Sequence, residues 1–187
     1  MSEATVAKKG NNSGMLKLTL TLGAICAVCA LLLGLVDMLT RDKIAENAMA
    51  AKMGAMQLVL ASDEYSPANY TGSDETILSA YKAGDKGYVI EVDCAASSFS
   101  GTLSIMVGVN ADGTVSGVEV LDSGETSGLG AKAKDDPEWR KQFVGKSGSV
   151  AVDKDGGEIA AITGATITSR GVSMGVTSAL AAVAELG

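Results

Sequence analysis

The sequence predicts an α+β domain, antiparallel strands with peripheral helices, behind one N-terminal transmembrane helix. Three observations carry this. "LTLTLGAICAVCALLLGLV", Leu18 to Val36, runs 19 residues without a charge. "GTLSIMVGVNADGTVSGVEVL", Gly101 to Leu121, alternates apolar and polar residues on both sides of an "NADG" turn, the pattern of a β-hairpin. Ser169 to Leu186 places Val172, Val176, Ala179, Leu180 and Val183 on one helical stripe. Strands and helices so distributed give α+β. No internal repeat is evident.

The first element is the membrane helix. At 1.5 Å per residue, 19 residues span roughly 28 Å, the thickness of a bilayer's hydrocarbon core. The following "LLLGLVDMLTRDK" offers no small-x-small cleavage site, and Ile25 directly before Cys26 does not suit a lipidation signal, so an uncleaved anchor is expected. Lys8, Lys9 and Lys17 precede the span, and Arg41 and Lys43 follow it. Three basic residues against two favour a cytoplasmic N-terminus, which puts the C-terminal domain outside the cytoplasmic membrane. The resulting division is a cytoplasmic tail over 1–17, the transmembrane helix over 18–36, a helical stalk over 37–62 and an extracytoplasmic domain over 63–187.

Composition narrows the function. Of the 15 basic and 22 acidic residues, only Lys8, Lys9, Lys17 and Glu3 precede Asp37. The remainder therefore carries 12 basic and 21 acidic residues, a net of −9. Nucleic acid needs a basic footprint, and none is present. Histidine is absent, which removes imidazole-based catalysis and histidine-ligated zinc. Cys26 and Cys29 form a C-x-x-C inside the apolar run and read as small helix residues, and Cys94 reads as a buried packing residue.

Thr40 to Leu60, "TRDKIAENAMAAKMGAMQLVL", is rich in helix formers and continues the helix as an amphipathic stalk. Ser62 to Asp74 reads as a polar loop broken by Pro67 and Gly72. Gly87 to Val92, "GYVIEV", reads as a strand, and the hairpin follows. Asp136 to Val144 reads as a short helix with Pro137 in its first turn. Glu158 to Ile162 is a short apolar stretch, and the C-terminal helix begins at Ser169.

Two stretches carry chemistry. "GETSGLGAK", Gly124 to Lys132, follows the second hairpin arm; Gly128 and Gly130 permit close backbone approach to a flat ligand, and Glu125 and Thr126 supply an acceptor and a hydroxyl. "AAITGATITSRGV", Ala160 to Val172, sets Thr163, Thr166, Thr168 and Ser169 around Gly164 and Ala165 just before a helix. A helix start needs one capping hydroxyl, and its unpaired N–H groups favour a phosphate. From the residues alone, each stretch also fits a tight turn or a redundantly capped helix. The lysine of a nucleotide-hydrolysing phosphate loop is missing.

In order and spacing, "GTLSIMVGVNADGTVSGVEVLDSGETSGLGAKA", "WRKQFVGK" and "TGATITSR" resemble the FMN-binding domain of RnfG, the G subunit of the Rnf electron-transport complex. The C subunit of the sodium-pumping NADH:quinone reductase shares that domain. The resemblance runs from about Gly87 to the C-terminus, and the single span followed by "TRDKIAE" also resembles RnfG. It implies that Thr166, ending the motif Thr163-Gly164-Ala165-Thr166, carries FMN covalently through a phosphoester installed by a flavin transferase. It also implies that Glu125, Thr126, Leu129 and Gly130 lie beside the flavin. From the residues themselves, Thr166 sits just upstream of the last helix, and Thr168 or Ser169 can cap it. Ser127 stands where the family usually has proline. Ala160 stands where family members often have aspartate, six residues before the acceptor threonine, with Glu158 as the nearby acid.

The resemblance further implies an electron-relaying subunit of an ion-translocating ferredoxin:NAD oxidoreductase in the bacterial inner membrane. Its partners would be the other membrane and redox subunits of that complex, and it would have no catalytic pocket or metal site of its own. Three alternatives stand beside this reading. They are a component like the quinone reductase's C subunit, a freestanding anchored flavoprotein, and a non-redox anchored sensor or assembly module.

Overall fold

The structure, a computed structural model, describes residues 12–186; Lys8 and Lys9 lie outside the described residues. The described residues divide into two compact units between Met49 and Ala50. Helix α1 spans Asn12–Val59. Every side chain from Leu18 to Val36 is exposed. An apolar helix with its backbone bonds satisfied internally and no protein covering it has the properties a bilayer accepts. Among the described residues it is the one helix long and apolar enough to cross a membrane. Beyond the charge-free run, Arg41 pairs with Asp37 at 2.7 Å and Lys43 with Glu46 at 2.6 Å, both exposed.

The second unit is built on one antiparallel sheet of five strands in chain order: β1 Ser66–Ala68, β2 Ile77–Lys82, β3 Gly87–Asp93, β4 Leu103–Asn110 and β5 Val115–Ser123. The expected strand at 87–92 and the expected hairpin are β3, β4 and β5. The turn closes on Gly113, whose φ of +81° is natural only for glycine. Side chains alternate across the sheet. Ile90, Val92, Ile105, Val107, Val118 and Val120 face the C-terminal helix α4, Thr166–Leu186, and form the main core with it.

The opposite face receives the end of α1. Ala55, Met56, Val59 and Leu60 pack with Val89 and Met106 in a second apolar cluster. Gly108 and Gly117 stand opposite one another on β4 and β5. A Cβ on Gly108 would lie 2.4 Å from the Val59 carbonyl oxygen, so bare backbone at this pair admits the helix end. The Ser116 hydroxyl donates to the same carbonyl at 2.6 Å. Lys52 reaches Glu91 at 2.6 Å, with both side chains at least three-quarters buried.

Three expectations are corrected, and two elements were not foreseen. The loop over 62–74 contains β1, an edge strand that tolerates Pro67 because an edge N–H needs no partner. β2 was not foreseen. The expected short helix divides into α3, Pro137–Arg140, and a 3-10 turn, Lys141–Phe143, and is preceded by an unforeseen α2, Lys132–Asp135. The last helix starts at Thr166, three residues before Ser169. Glu158 to Ile162 forms no strand beyond a single parallel bridge, Val152 to Ile159.

Candidate functional site

The two motifs meet. A cavity of about 380 Å³ is lined by Glu125, Thr126, Leu129 and Gly130 from one, and by Gly164, Ala165, Thr166, Ile167 and Thr168 from the other. Phe99 and Lys154 complete its wall. Its volume falls in the range of about 300–1,000 Å³ usual for small-molecule and cofactor sites.

Each wall is held by identifiable bonds. The 126–129 turn closes through the Leu129 N–H donating to the Thr126 carbonyl at 3.1 Å, with Gly128 at φ +78°. Ser127 therefore occupies the second position of a type II turn, the position that favours proline. Behind the turn, the buried Arg140 guanidinium donates to both Glu119 oxygens at 3.0 Å and to the Ala133 carbonyl at 3.0 Å, fixing α2 to β5.

Glu125 is committed to structure. Its Oε1 accepts from the N–H groups of Phe99 at 2.9 Å and Ser100 at 3.3 Å, so it holds the loop that presents Phe99. Phe99 is 75% exposed, Ile167 49% and Leu129 46%. Unburied apolar groups around a concave site are what a flat aromatic ligand can cover.

The Thr-Gly-Ala-Thr segment is fixed from below. Trp139 stacks edge-on against Phe143, with ring centroids 5.4 Å apart, and its Nε1–H donates to the Ala160 carbonyl at 2.8 Å. The Gln142 side-chain oxygen accepts from the Ala160 N–H at 2.8 Å. Gly164 then turns the chain with φ +80°. Ser169 is fully buried; its hydroxyl accepts from the Ile162 N–H and donates to the Ala165 carbonyl, each at 3.0 Å. It fastens the loop to the helix and does not line the cavity. Thr163 is exposed and also lies off the lining. Thr168 is buried and on it. Neither Thr168 nor Ser169 caps the helix, since both lie inside it.

Lys154 is the residue that sequence reasoning missed. Its Nζ donates to Thr166 Oγ1 at 2.8 Å. It sits in a 3-10 turn, Asp153–Asp155, that reads as a solvated polar loop. Asp155 is gripped by Arg170, one helical turn beyond Thr166, through bonds of 2.6 and 2.5 Å. The Arg170 hydrogen bond, aided by its charge, holds the Asp155 carboxyl below the usual carboxylate range. Asp153 accepts from the Ala161 N–H at 3.2 Å. Glu158, the acid nearest to Ala160 in sequence, pairs with Lys146 and does not line this cavity. Among the described residues, no cluster of three or more acidic or cysteine side chains suited to a metal ion occurs.

Comparison with known proteins shows the family. A family model described as the FMN-binding domain matches residues 98–181, a range that contains every cavity-lining residue. A second model, described as the RnfG N-terminal region, matches residues 8–59. The chain thus pairs an FMN-binding domain with a helix of membrane-crossing length. It is 35% identical to the G subunit of the Na(+)-translocating ferredoxin:NAD(+) oxidoreductase complex of Acetobacterium woodii, over 86% of this chain and 87% of that protein. It is 31% identical to the G subunit of the ion-translocating oxidoreductase complex of Escherichia coli K12, over 82% and 83%. With the G subunit of the proton-translocating ferredoxin:NAD(+) oxidoreductase complex of Clostridium ljungdahlii it shares 29% identity over 94% and 95%. The chain belongs to the RnfG family, the G subunits of Rnf-type complexes.

Proposed function

We propose that this chain is an electron-carrying subunit of an ion-translocating ferredoxin:NAD oxidoreductase complex. In this reading it is anchored in the bacterial inner membrane with its N-terminus cytoplasmic and its C-terminal domain outside. FMN is joined through a phosphoester to Thr166 by a flavin transferase. The observation that supports this best is the cavity in which both motifs converge on the Thr166 hydroxyl, with the Lys154 ammonium 2.8 Å away.

The residues present fit the group. Gly130 is bare where a Cβ would come 2.5 Å from Glu125 Oε2 and 2.8 Å from Thr168 Oγ1, so its wall has no room for a side chain. Leu129, Phe99 and Ile167 give the site apolar surface for a ring system. Thr166 and Lys154 give it an attachment oxygen and a cation for a phosphate. When bound, the flavin supplies reversible electron transfer, and the protein supplies placement and electrostatics. A tether makes local concentration independent of the surrounding pool, so retention does not require a tight pocket. That suits a site outside the cytoplasm. Thr166 serves here as an attachment point and takes no part in turnover.

The test is co-expression of the full chain with a flavin transferase, followed by denaturing electrophoresis read under ultraviolet light. The wild-type band should fluoresce, Thr163→Ala should fluoresce, and Thr166→Ala should not. A fluorescent Thr166→Ala band, or a dark wild-type band, overturns the reading.

A further inference from the structure

We infer that Lys154 is the charge partner of the phosphodiester formed at Thr166, positioning the hydroxyl for attachment and neutralising the product; this rests on the attachment reading above. Lys154 is the one cation among the cavity-lining residues, and its Nζ donates to Thr166 Oγ1 at 2.8 Å. Its sequence neighbours are both acidic, yet neither takes its ammonium. Asp155 is held by Arg170 at 2.6 and 2.5 Å. Asp153 accepts main-chain N–H groups from Lys154 and Ala161 at 2.8 and 3.2 Å. Among the described residues, no carboxylate lies within salt-bridge distance of Lys154 Nζ. The turn thus satisfies its own acids and presents a cation to one hydroxyl oxygen.

The chemistry of attachment is favoured by such a cation. The flavin donor is a pyrophosphate-linked flavin dinucleotide, because joining a phosphate monoester to an alcohol needs an activated phosphorus. The Thr166 Oγ–P bond forms, the anhydride P–O bond breaks, and a nucleoside monophosphate leaves. The hydroxyl proton passes to a base of the transferase. Lys154 donates to the Thr166 oxygen and so leaves that proton free to depart. Its charge opposes the negative charge that gathers on oxygen as the bond forms. Afterwards it faces the single negative charge of the diester, a charge-assisted contact.

The experiment follows the rate of flavin loading by intact mass, using purified full-length chain in detergent, a flavin transferase and the dinucleotide donor. Lys154→Gln should load about tenfold more slowly, as loss of a hydrogen bond to a charged group predicts. Lys154→Arg should stay near the wild-type rate. Lys146→Gln, which breaks an exposed pair outside the cavity, should match the wild type. The wild-type advantage over Lys154→Gln should shrink as salt is added, which a merely structural lysine would not show. Loading of Lys154→Gln at the wild-type rate, or equal slowing by Lys154→Arg, overturns the inference while leaving attachment at Thr166 intact. A wild-type chain that takes no flavin overturns the attachment reading itself, and this inference with it.

Discussion

Leu129 lies directly against Gly164: a Cβ on the glycine would stand 3.1 Å from the leucine Cδ2. This contact joins the Glu-Thr-Ser-Gly-Leu-Gly turn to the Thr-Gly-Ala-Thr loop and closes one side of the cavity. Gly164 also holds φ +80°, where a side chain is disfavoured. Gly164→Ala should therefore cost about 1–2 kcal/mol of stability from backbone strain alone. Chemical denaturation of the full chain in detergent measures that loss. Loading followed by intact mass should also show slower flavin attachment, because the Thr166 loop must shift.

Ser127 sits where its turn favours proline, and its N–H donates no hydrogen bond among the described residues. Ser127→Pro should stabilise the domain by about 0.4–1 kcal/mol by restricting the unfolded chain. The check is the denaturation midpoint, which should rise without loss of flavin loading.

Cys94 is buried beside Gly175, where a Cβ would stand 2.4 Å from its sulfur. Burial, with a smaller contribution from Asp93, pushes its thiol up to about 12 from an ordinary 9.0. The folded state therefore favours the neutral thiol. Its contribution to stability is complete below pH 9 and is lost as pH rises from 9 toward 12. Stability against denaturant should fall over that window, and the fall should be shallower in Cys94→Ala. Alkylation of Cys94 should stay slow until the domain unfolds.

The parts of the fold legible in the sequence were those with a strong local signal. β3 was readable from its β-rich composition, and β4 and β5 from alternating valines and isoleucines on either side of a turn, although α4 and the end of α1 bury both faces of β3 and β4. β2 was hidden because "ILSAYK" mixes half-buried and exposed positions, with Leu78 54% exposed. The start of α4 was misplaced because Thr166, Ile167 and Thr168 are β-branched and weak helix formers. Tertiary contacts, among them the buried Ser169 hydroxyl, impose the helix there. The site was legible as two motifs. Their convergence was visible only through the resemblance, and Lys154 not at all, since an acidic turn signals solvent and gives no sign of what its lysine faces.

The central claim is that the Thr166 hydroxyl carries a flavin phosphate. Cleavage after Lys154 and Arg170 yields one peptide, Asp155 to Arg170, that holds Thr163, Thr166, Thr168 and Ser169 together. Fragment-ion mass mapping of that peptide, from chain isolated with its membrane, should place an FMN increment on Thr166 and on none of the other three. An unmodified peptide, or an increment on another of these hydroxyls, would contradict the account.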